Sequence, residues 1–462
     1  MVHFVASSVI FKKCFLRSDL STPISLFPFQ KWFVASDKAS RRDCRNTLRS
    51  NLQTTEITAA RVFREIPKYC PELKIMKKTL ILAGVLGAFA MSAHAQSSVT
   101  LYGSLDAGIV YANNAGGHSL WAQGSGAMSN NYFGLKGAED LGGGLKAIFT
   151  LESGFNLNNG GYKNGDNGFN RQAFVGLQSD QYGALTLGRQ YDSMNQYLAP
   201  LSEAGLGFGN NLAGHPFDND NFAQSFSIKN AVKYSSANYA GFQFGGMYGF
   251  SNEADGFANS RAWSAGASYN NGPLNVAAGY LQLNNSGNYG GNLNGAASAD
   301  QNISARLQRS FGVGANYTYG PAQVGFVWSH SQIDGLQSLG SGGMNLAGIS
   351  GLNLHLDNYE INGAYHLTPA LAFVGSYTFT DGTVTGTGTG DQSPKWHTVV
   401  LGTDYSLSKR TDVYLAGVYQ HASGSLGVQN GAAVANVAAI NTLSPSTTNN
   451  QVAATIGLRH RF

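Results

Sequence analysis

The sequence predicts an all-β fold, a sixteen-stranded antiparallel transmembrane β-barrel. Three observations predict it: sixteen segments of alternating apolar and polar residues, links that are short and long in turn, and a last strand that ends on an aromatic residue. Alternation with a period of two is typical of a strand with one apolar face. An even strand number and the absence of a free edge are what a bilayer requires of a bacterial barrel.

The final strand shows the pattern most clearly. Over residues 450–462, apolar side chains dominate one face, while Thr455, Arg459 and Arg461 lie on the other. In a barrel, the two arginines would face the water inside. The terminal Phe462 would lie in the aromatic girdle at the membrane interface.

The other strands are predicted in chain order by the same alternation. The first begins at Val99, where Leu101, Leu105 and Ile109 share one face and Asp106 lies on the other. The following segments are predicted over 129–138, 144–157, 170–179, 184–191, 229–237, 241–250, 261–271, 274–284, 306–319, 321–333, 355–367, 370–380, 395–407, 411–422 and 450–462.

The links between these segments alternate in length. Short turns are predicted at 139–143, 180–183, 238–240, 272–273, 320, 368–369 and 408–410. Long links rich in Gly, Asn and Ser are predicted at 113–128, 158–169, 192–228, 251–260, 285–305, 334–354, 381–394 and 423–449. A barrel with tight turns at one end and long loops at the other follows, whereas a soluble sandwich does not need this alternation.

The charges divide the chain into two unlike parts. Residues 1–95 hold all three cysteines and 15 Lys/Arg against 6 Asp/Glu, a net charge of +9. Residues 96–462 hold no cysteine and 15 Lys/Arg against 20 Asp/Glu, a net charge of −5. The overall +4 is therefore an average of two pieces, and it predicts no nucleic-acid partner.

The boundary between the two parts has the features of a secretory signal peptide over 76–95. A charged start precedes the apolar run 80–91, and a small-x-small site ends at Ala95, which places the mature start at Gln96. We interpret residues 1–75 as a mis-assigned upstream start. A genuine extension is the alternative, and mass spectrometry of a precursor peptide from that stretch would establish it.

The sequence shows few signs of catalytic or metal chemistry. No His-Glu-x-x-His or cysteine-pair spacing is present, so no metal and no cofactor are expected. His421 and Ser423 share a strand face, somewhat like the His-x-Ser pair of an outer-membrane phospholipase, but no nearby residue is a clear third partner. A hydrolase and a purely adhesive barrel are therefore two functions that stay open at this point.

Several sequence blocks resemble the general diffusion porins of Gram-negative outer membranes. They are Ser98–Gly103 (SVTLYG), Phe133–Gly142 (FGLKGAEDLG), Asn170–Leu177 (NRQAFVGL), Leu187–Asp192 (LGRQYD) and the terminal Phe462. The resemblance implies a water-filled channel for passive diffusion of ions and small hydrophilic solutes. It also implies a homotrimer embedded in outer-membrane lipid, and it makes Phe462 part of the assembly signal.

The resemblance further implies that the third long loop, 192–228, folds into the barrel and constricts it. Acidic residues on this loop would face basic residues on the wall and set a transverse field across the narrow gap. The expected loop acids are Asp192, Glu203, Asp218 and Asp220, and the expected wall bases are Lys136, Arg171, Arg189 and Lys233.

Strict alternation orients only two of these basic side chains inward. Lys136 and Lys233 lie on the lumen face, whereas Arg171 and Arg189 share the parity of outward Val and Leu residues. A bulge at Gly188 would change the parity of Arg189.

Two features argue against strong anion selectivity. Tyr132 stands where related channels often carry a basic residue, and the mature chain has a net charge of −5. If the loop acids line the pore, replacing Glu203, Asp218 and Asp220 by asparagine is expected to shift the channel toward anions.

Overall fold

The structure, a computed structural model, describes most of the chain from Ser98 to its end. The described residues are 98–163, 168–206, 211–300, 302–341, 344–345, 350–388, 390–429 and 432–462. The chain divides into two compact units, Met1–Ala90 and Met91–Phe462, and all described residues belong to the second. The predicted upstream stretch 1–75, signal 76–95 and cleavage between Ala95 and Gln96 lie outside them and stay predictions.

Sixteen antiparallel strands form a closed barrel, as the alternation predicted. Each strand pairs with its neighbour in sequence, and the last pairs with the first through a register that runs from Ser104 opposite Arg461 to Ala112 opposite Ala453. The strands are β1 (Ser98–Ala115), β2 (Tyr132–Gly142), β3 (Leu145–Gly154), β4 (Gln172–Ser179), β5 (Gly183–Gln190), β6 (Ile228–Ser235), β7 (Phe242–Gly249), β8 (Ala262–Asn271), β9 (Leu274–Ser286), β10 (Ile303–Tyr319), β11 (Ala322–Ser341), β12 (Asn353–His366), β13 (Leu371–Thr385), β14 (Lys395–Ser406), β15 (Thr411–Ser423) and β16 (Asn450–Arg461).

The first long link differs from the prediction. Residues His118–Ser125 lie within the predicted link 113–128, yet they form a strand that pairs with the upper half of β1. β2 pairs with the lower half of β1, from Ser98 to Ser104. The intervening segment 126–131 leaves the sheet toward the lumen. Its departure is compatible with a left-handed backbone at Gly126 (φ +78°), which glycine adopts without strain.

Asp106 holds this inward segment in place. Its carboxylate accepts the backbone N–H of Ser129 at 2.9 Å, and its backbone carbonyl accepts the Asn131 amide at 3.0 Å. The second carboxylate oxygen accepts the Tyr414 hydroxyl from β15 at 2.7 Å. The buried carboxylate is thus satisfied by donors on two sides, as burial of a charged group requires.

The two faces of the sheet have opposite chemistry. On β14, Leu401 points outward and is 67% exposed, whereas Thr398 points inward and is 5% exposed. Aliphatic and aromatic side chains cover the outside, and the inside carries Ser, Thr, Asn, Gln and charged residues. This arrangement suits a bilayer, where lipid contacts apolar side chains and water fills the lumen.

Aromatic side chains form a belt on the outside near the long-loop end of the later strands. Trp263 on β8 stacks on Tyr280 on β9 with ring centroids 4.5 Å apart, and Phe311 on β10 continues the row. Histidines extend it on β11, β12, β14 and β15. The outward faces of β2–β5 carry no Tyr or His, so the outside of the barrel has two unlike halves.

Several helical turns occur in the long loops. They are the π-helix Met194–Leu198 and the 3-10 turns Ala199–Leu201, Asn211–Ala213, Pro216–Asp218, Tyr289–Gly291 and Ala296–Ala299. Two short strands, Ser425–Gln429 and Ala432–Ala435, pair within the last long loop, and Met344–Asn345 pairs with the end of β11. Within the described part of the chain, no helix is long and apolar enough to cross a membrane.

The orientation of the two faces predicts how a charge is tolerated. Replacing Leu401 by arginine places a cation against lipid near the middle of β14, and we expect a loss of about 2–4 kcal/mol in the free energy of unfolding. The matched variant Gln243→Arg places the same side chain on the lumen side of β7, and we expect a much smaller change. Urea unfolding of protein folded into lipid vesicles measures both. Equal losses would contradict the assignment of faces.

Candidate functional site

Loop 3, residues 191–227 between β5 and β6, crosses the lumen. Its first turn contacts the far wall, where the backbone N–H of Ser193 donates to the Ser264 hydroxyl on β8 at 3.0 Å. Further along, the backbone carbonyl of Leu201 accepts the Asn362 amide on β12 at 2.9 Å. Met194 and Leu198 are fully buried against strands β8–β10. The loop therefore narrows the barrel, as the sequence predicted for residues 192–228.

A buried ionic cluster fixes the middle of loop 3 to β12. The His215 ring contacts the Asp220 carboxylate at 2.6 Å and the Glu360 carboxylate on β12 at 3.1 Å. Burial alone would lower the pKa of His215, but the two carboxylates raise it to about 10. The ring is therefore protonated at neutral pH and lies as a cation between two anions. We call His215, Asp220 and Glu360 the loop latch.

Glu203 adds a further carboxyl group to the same region. Its backbone N–H donates to Glu360 at 2.7 Å. Burial and the nearby Glu360 carboxylate raise the pKa of Glu203 to about 8. This side chain is thus largely protonated at neutral pH.

Neutral donors reinforce the latch around Asn219. The backbone carbonyl of Asn219 accepts the hydroxyls of Ser310 and Ser331, each at 3.1 Å, and its side-chain oxygen accepts the Asn358 amide at 3.0 Å. The neighbouring Phe217 has a left-handed backbone (φ +63°), which is strained for an aromatic residue. These bonds hold the strained segment against β10–β12.

The four loop acids predicted from the sequence are all buried. Their exposed fractions are 0% for Asp192, 2% for Glu203, 1% for Asp218 and 0% for Asp220. Asp192 accepts the Asn221 amide at 2.8 Å within the loop. Their predicted role as an acidic edge of the pore stays a prediction, and their geometry supports a different role, that of anchoring the loop.

A passage remains between loop 3 and the wall formed by β16 and β1–β4. It is a cavity of about 350 Å³. The wall contributes Ser104, Tyr132, Glu152, Arg171, Gln172, Arg459 and Arg461. The described residues of loop 3 that line it are Tyr191, Asn195, Ala199, Pro200, Ala204, Gly205, Leu206, Asn211, Phe222, Ala223 and Gln224, and none of these carries a charge.

Arg171 lines this passage on the wall side. Its guanidinium lies 4.5 Å from the Tyr132 ring centroid and 5.4 Å from that of Tyr191. It contacts Glu152 at 3.4 Å and donates to the Gln224 side chain on loop 3 at 2.9 Å. Arg171 precedes the first residue of β4, so the alternation of that strand does not fix its direction, and it reaches inward despite its parity.

Three further basic side chains face the lumen on the same side. Lys136 is exposed, with its ammonium 5.0 Å from the Tyr102 ring centroid. Arg461 is 42% exposed and contacts Asp412 at 3.0 Å. Arg459 is buried, and Asp404 and Asp412 bind it at 2.9 Å each. The arginines of β16 therefore face inward, as the alternation predicted.

The other two predicted wall residues do not line the passage among the residues described. The register shifts between Gly188 and Gln190, as a bulge at Gly188 requires, and Arg189 donates to the Ser227 hydroxyl at 2.7 Å. Lys233 faces inward, as the alternation predicted, but is 8% exposed and donates to the backbone carbonyl of Tyr191 at 2.6 Å. Lys233 thus anchors the first residue of loop 3 to β6.

Sequence reasoning missed a second loop inside the barrel. In loop 8, residues 424–449, Ile440 is fully buried with Val400 and Val418 on the lumen wall. The Asn441 amide donates to the backbone carbonyl of Asn211 on loop 3 at 2.7 Å. The signal was present as an apolar stretch over 432–440, interrupted only by Asn436, inside a link otherwise rich in Gly, Asn and Ser.

Among the hydrogen bonds of the described residues, none joins the side chains of His421 and Ser423. The His421 ring pairs with the Asn450 side chain at 2.8 Å, on the outward face of β15. In the described part of the chain, no three His, Cys, Asp or Glu side chains are grouped to hold a metal ion.

Comparison with known proteins identifies the family. A model of the family described as Gram-negative porin matches residues 82–425. The chain belongs to the Gram-negative porin family. It is 36% identical to an outer membrane porin protein of Bordetella pertussis, over 74% of this chain and 94% of that protein. It is 38% identical to outer membrane porin protein 32 of Delftia acidovorans, over 45% of this chain and 60% of that protein.

Solved structures show the same fold. The anion-selective porin from Comamonas acidovorans superimposes with a TM-score of 0.60 at 24% identity, over 79% of this chain and all of that one. The trimer form of OmpT from Vibrio cholerae superimposes with a TM-score of 0.53 at 17% identity, over 79% and 99% of the two chains. At these identities the likeness is one of fold.

This porin is a channel of the Gram-negative outer membrane for passive diffusion of ions and small hydrophilic solutes. It is not an enzyme, so the hydrolase alternative raised by His421 and Ser423 is wrong. An adhesive barrel would display its long loops outside the barrel. In this porin, loops 3 and 8 instead pack against the inside of the barrel wall.

The loop latch predicts a pH-dependent stability. Replacing His215 by asparagine leaves two buried carboxylates without their cation, and we expect a loss of about 3–5 kcal/mol in the free energy of unfolding at pH 7. The raised pKa means that the His215 contribution is complete below pH 6.5 and is lost as pH rises through about 10. The difference in the free energy of unfolding between variant and wild type is therefore expected to become smaller above pH 10.

Urea unfolding of the folded porin at pH 7 and at pH 11 measures this difference. Lys146→Gln is the matched control, because Lys146 forms an exposed pair with Asp180 at 3.0 Å and such pairs contribute less than about 1 kcal/mol. A His215 variant as stable as the control at pH 7 would show that the latch is not ionic.

Proposed function

We propose that this porin prefers anions, because the charged side chains that reach the water of its passage are mainly basic. Lys136 and Arg461 are exposed in the lumen, and Arg171 and Arg461 line the passage. The described loop residues opposite them are uncharged. A cationic wall facing a neutral edge attracts anions and raises the barrier for cations.

Asp404 and Asp412 on this wall are recessed behind the basic side chains, whereas Glu152 lines the passage beside Arg171. Asp404 and Asp412 are 4% and 3% exposed and bind the β16 arginines from behind, and Glu152 is 6% exposed. Charges near the water act on a passing ion more strongly than charges farther from it. The passing solute therefore meets a positive surface even though the acids nearly balance it in number.

The net charge of the mature chain does not decide this preference. Its −5 is spread over the whole surface, while salt screens charges more than about 8 Å away at physiological ionic strength. Tyr132, which stands where a basic residue was expected, supports Arg171 through its ring. The placement of a few side chains thus supports anion preference against the average composition.

Planar-bilayer recordings in a KCl gradient test the preference. We expect a reversal potential on the anion side for the wild type, and a shift toward cations for the double variant Lys136→Gln and Arg461→Gln. The loop variant Glu203→Gln serves as the comparison, because its side chain is buried and does not line the passage, and we expect it to leave the reversal potential unchanged.

Two results would argue against this assignment. A shift toward anions in the Glu203 variant would restore the acidic edge predicted from the sequence. A wild-type reversal potential on the cation side would refute the anion preference itself.

We also propose that the porin is a homotrimer in outer-membrane lipid, with the outward face of β2–β5 as its subunit contact. Val175 on this face is 60% exposed, and the face carries none of the Tyr or His residues that mark the interfacial belt on β8–β15. Aromatic belts are typical of surfaces that meet lipid headgroups. A closed cyclic assembly would cover the half without the belt.

A matched pair of variants tests the contact surface. Val175→Asp places a carboxylate in the proposed contact, and Val313→Asp places one on the belt side, where Val313 is 49% exposed. Light scattering of the folded protein in detergent is expected to show trimers for the wild type and the Val313 variant, and monomers for the Val175 variant. Monomeric wild type, or equal behaviour of the two variants, would refute the proposal.

A further inference from the structure

A second cavity lies on the long-loop side of the passage and is continuous with it. Its volume is about 190 Å³, and it shares Arg171 and Gln224 with the larger cavity. Five links at the long-loop end contribute to its lining. They contribute Asn130 from loop 1 (116–131), Lys163 and Asn170 from loop 2 (155–171), Ser225 and Ser227 from loop 3, Asn302 from loop 5 (287–302), and Asn441 and Thr442 from loop 8.

Two cations lie at this cavity. The Lys163 ammonium donates to the Asn130 side chain at 3.0 Å. The backbone carbonyl of Lys163 accepts the Asn170 amide at 2.6 Å. Lys163 has no ion pair with any carboxylate of the described residues. The neighbouring Arg171 does pair, with Glu152 at 3.4 Å, but Glu152 lines only the larger cavity.

The remaining lining favours an anion. Asp218 is the one carboxylate among the described lining residues. It already accepts the backbone N–H groups of Ala223 at 2.9 Å and Ser225 at 3.1 Å. A third cation, Arg189, donates to the Ser227 hydroxyl at 2.7 Å behind the lining. The cations Lys163, Arg171 and Arg189 outnumber the carboxylate Asp218, so the net formal charge of these four residues is positive.

Loop 8 contributes Asn441 and Thr442 to the lining of the cavity. Asn441 is tied to loop 3 through its bond to Asn211 at 2.7 Å. The next residue, Thr442, has a left-handed backbone (φ +69°), an unusual and strained state for a β-branched residue. Such strain persists where the surroundings fix the chain, and here it places loop 8 beside Lys163 and Arg171.

We propose that this cavity binds an oxyanion between Lys163 and Arg171, before the anion passes into the constriction. The inference rests on the proposed anion preference and adds a specific site to it. The lining cations Lys163 and Arg171 outnumber the one described lining carboxylate, Asp218, and a guanidinium offers paired donors to an oxyanion. Binding sites in series allow an anion both to enter and to leave a channel.

Sulfate is the test anion, because its charge does not change between pH 7 and pH 9. In planar bilayers, added sulfate is expected to reduce the chloride current of the wild type with saturation. Lys163→Gln is expected to raise the half-inhibiting sulfate concentration about tenfold or more, because a charge-assisted contact is lost. Lys163→Arg keeps the charge and is expected to keep the inhibition. The distant control Lys146→Gln is expected to behave as the wild type.

The pH dependence supplies a second readout. Burial and the nearby Arg171 lower the pKa of Lys163 to about 8, so sulfate inhibition is expected to weaken from pH 7 to pH 9 in the wild type but not in Lys163→Arg. The other charged or titratable groups near this site are Arg171, Asp106, Glu152, Tyr191 and Asp218. Burial is the main cause that raises the pKa of Asp218 to about 6 and that of Tyr191 to about 12. Neither group therefore changes charge between pH 7 and pH 9.

The outcomes separate this site from the anion preference. A wild type whose chloride current is not inhibited by sulfate, or a Lys163→Gln variant inhibited as strongly as the wild type, overturns the site even if the KCl reversal potential shows anion preference. A reversal potential on the cation side overturns the preference. Saturable inhibition that depends on the charge at position 163 supports the site.

Discussion

A buried cation is the one ionic attachment described between loop 3 and the far wall, and the width of the passage depends on where that loop is held. Protonated His215 lies between Asp220 on loop 3 and Glu360 on β12 and holds the loop across the barrel. Without it, two buried carboxylates would repel each other at the point where the loop meets the far wall. The cavity that remains on the opposite side, about 350 Å³ lined by β16 and β1–β4, is the space that this attachment leaves open.

The same attachment explains why acids and bases are separated. The loop acids are used for anchoring on one side of the lumen, and the exposed bases remain on the other side. The field across the passage thus comes from one wall rather than from two opposed rows. Loop 8 adds a second inward layer, so that apolar clusters occupy part of the long-loop end of the barrel.

The strands could be predicted because the bilayer imposes one rule on every residue of the outward face. Alternation therefore gave all sixteen strands and the inward direction of Lys136, Lys233, Arg459 and Arg461. Local departures from alternation were harder. The inward segment 126–131 depends on Asp106, which is distant in sequence, and Arg171 turns inward because its strand begins one residue later. The sequence could not reveal whether a loop acid meets water, because that depends on partners such as Glu360.

The pairing of β1 with β16 also constrains how the protein folds. Ser104 lies opposite Arg461, so the first strand finds its partner only after the whole domain has been synthesised. Contacts between such distant positions have a high entropic cost of closure and slow the folding of a chain. A partly made barrel would expose two unpaired strand edges, which are sites of aggregation. The unfinished chain is therefore expected to need protection by a chaperone until its last strand is available.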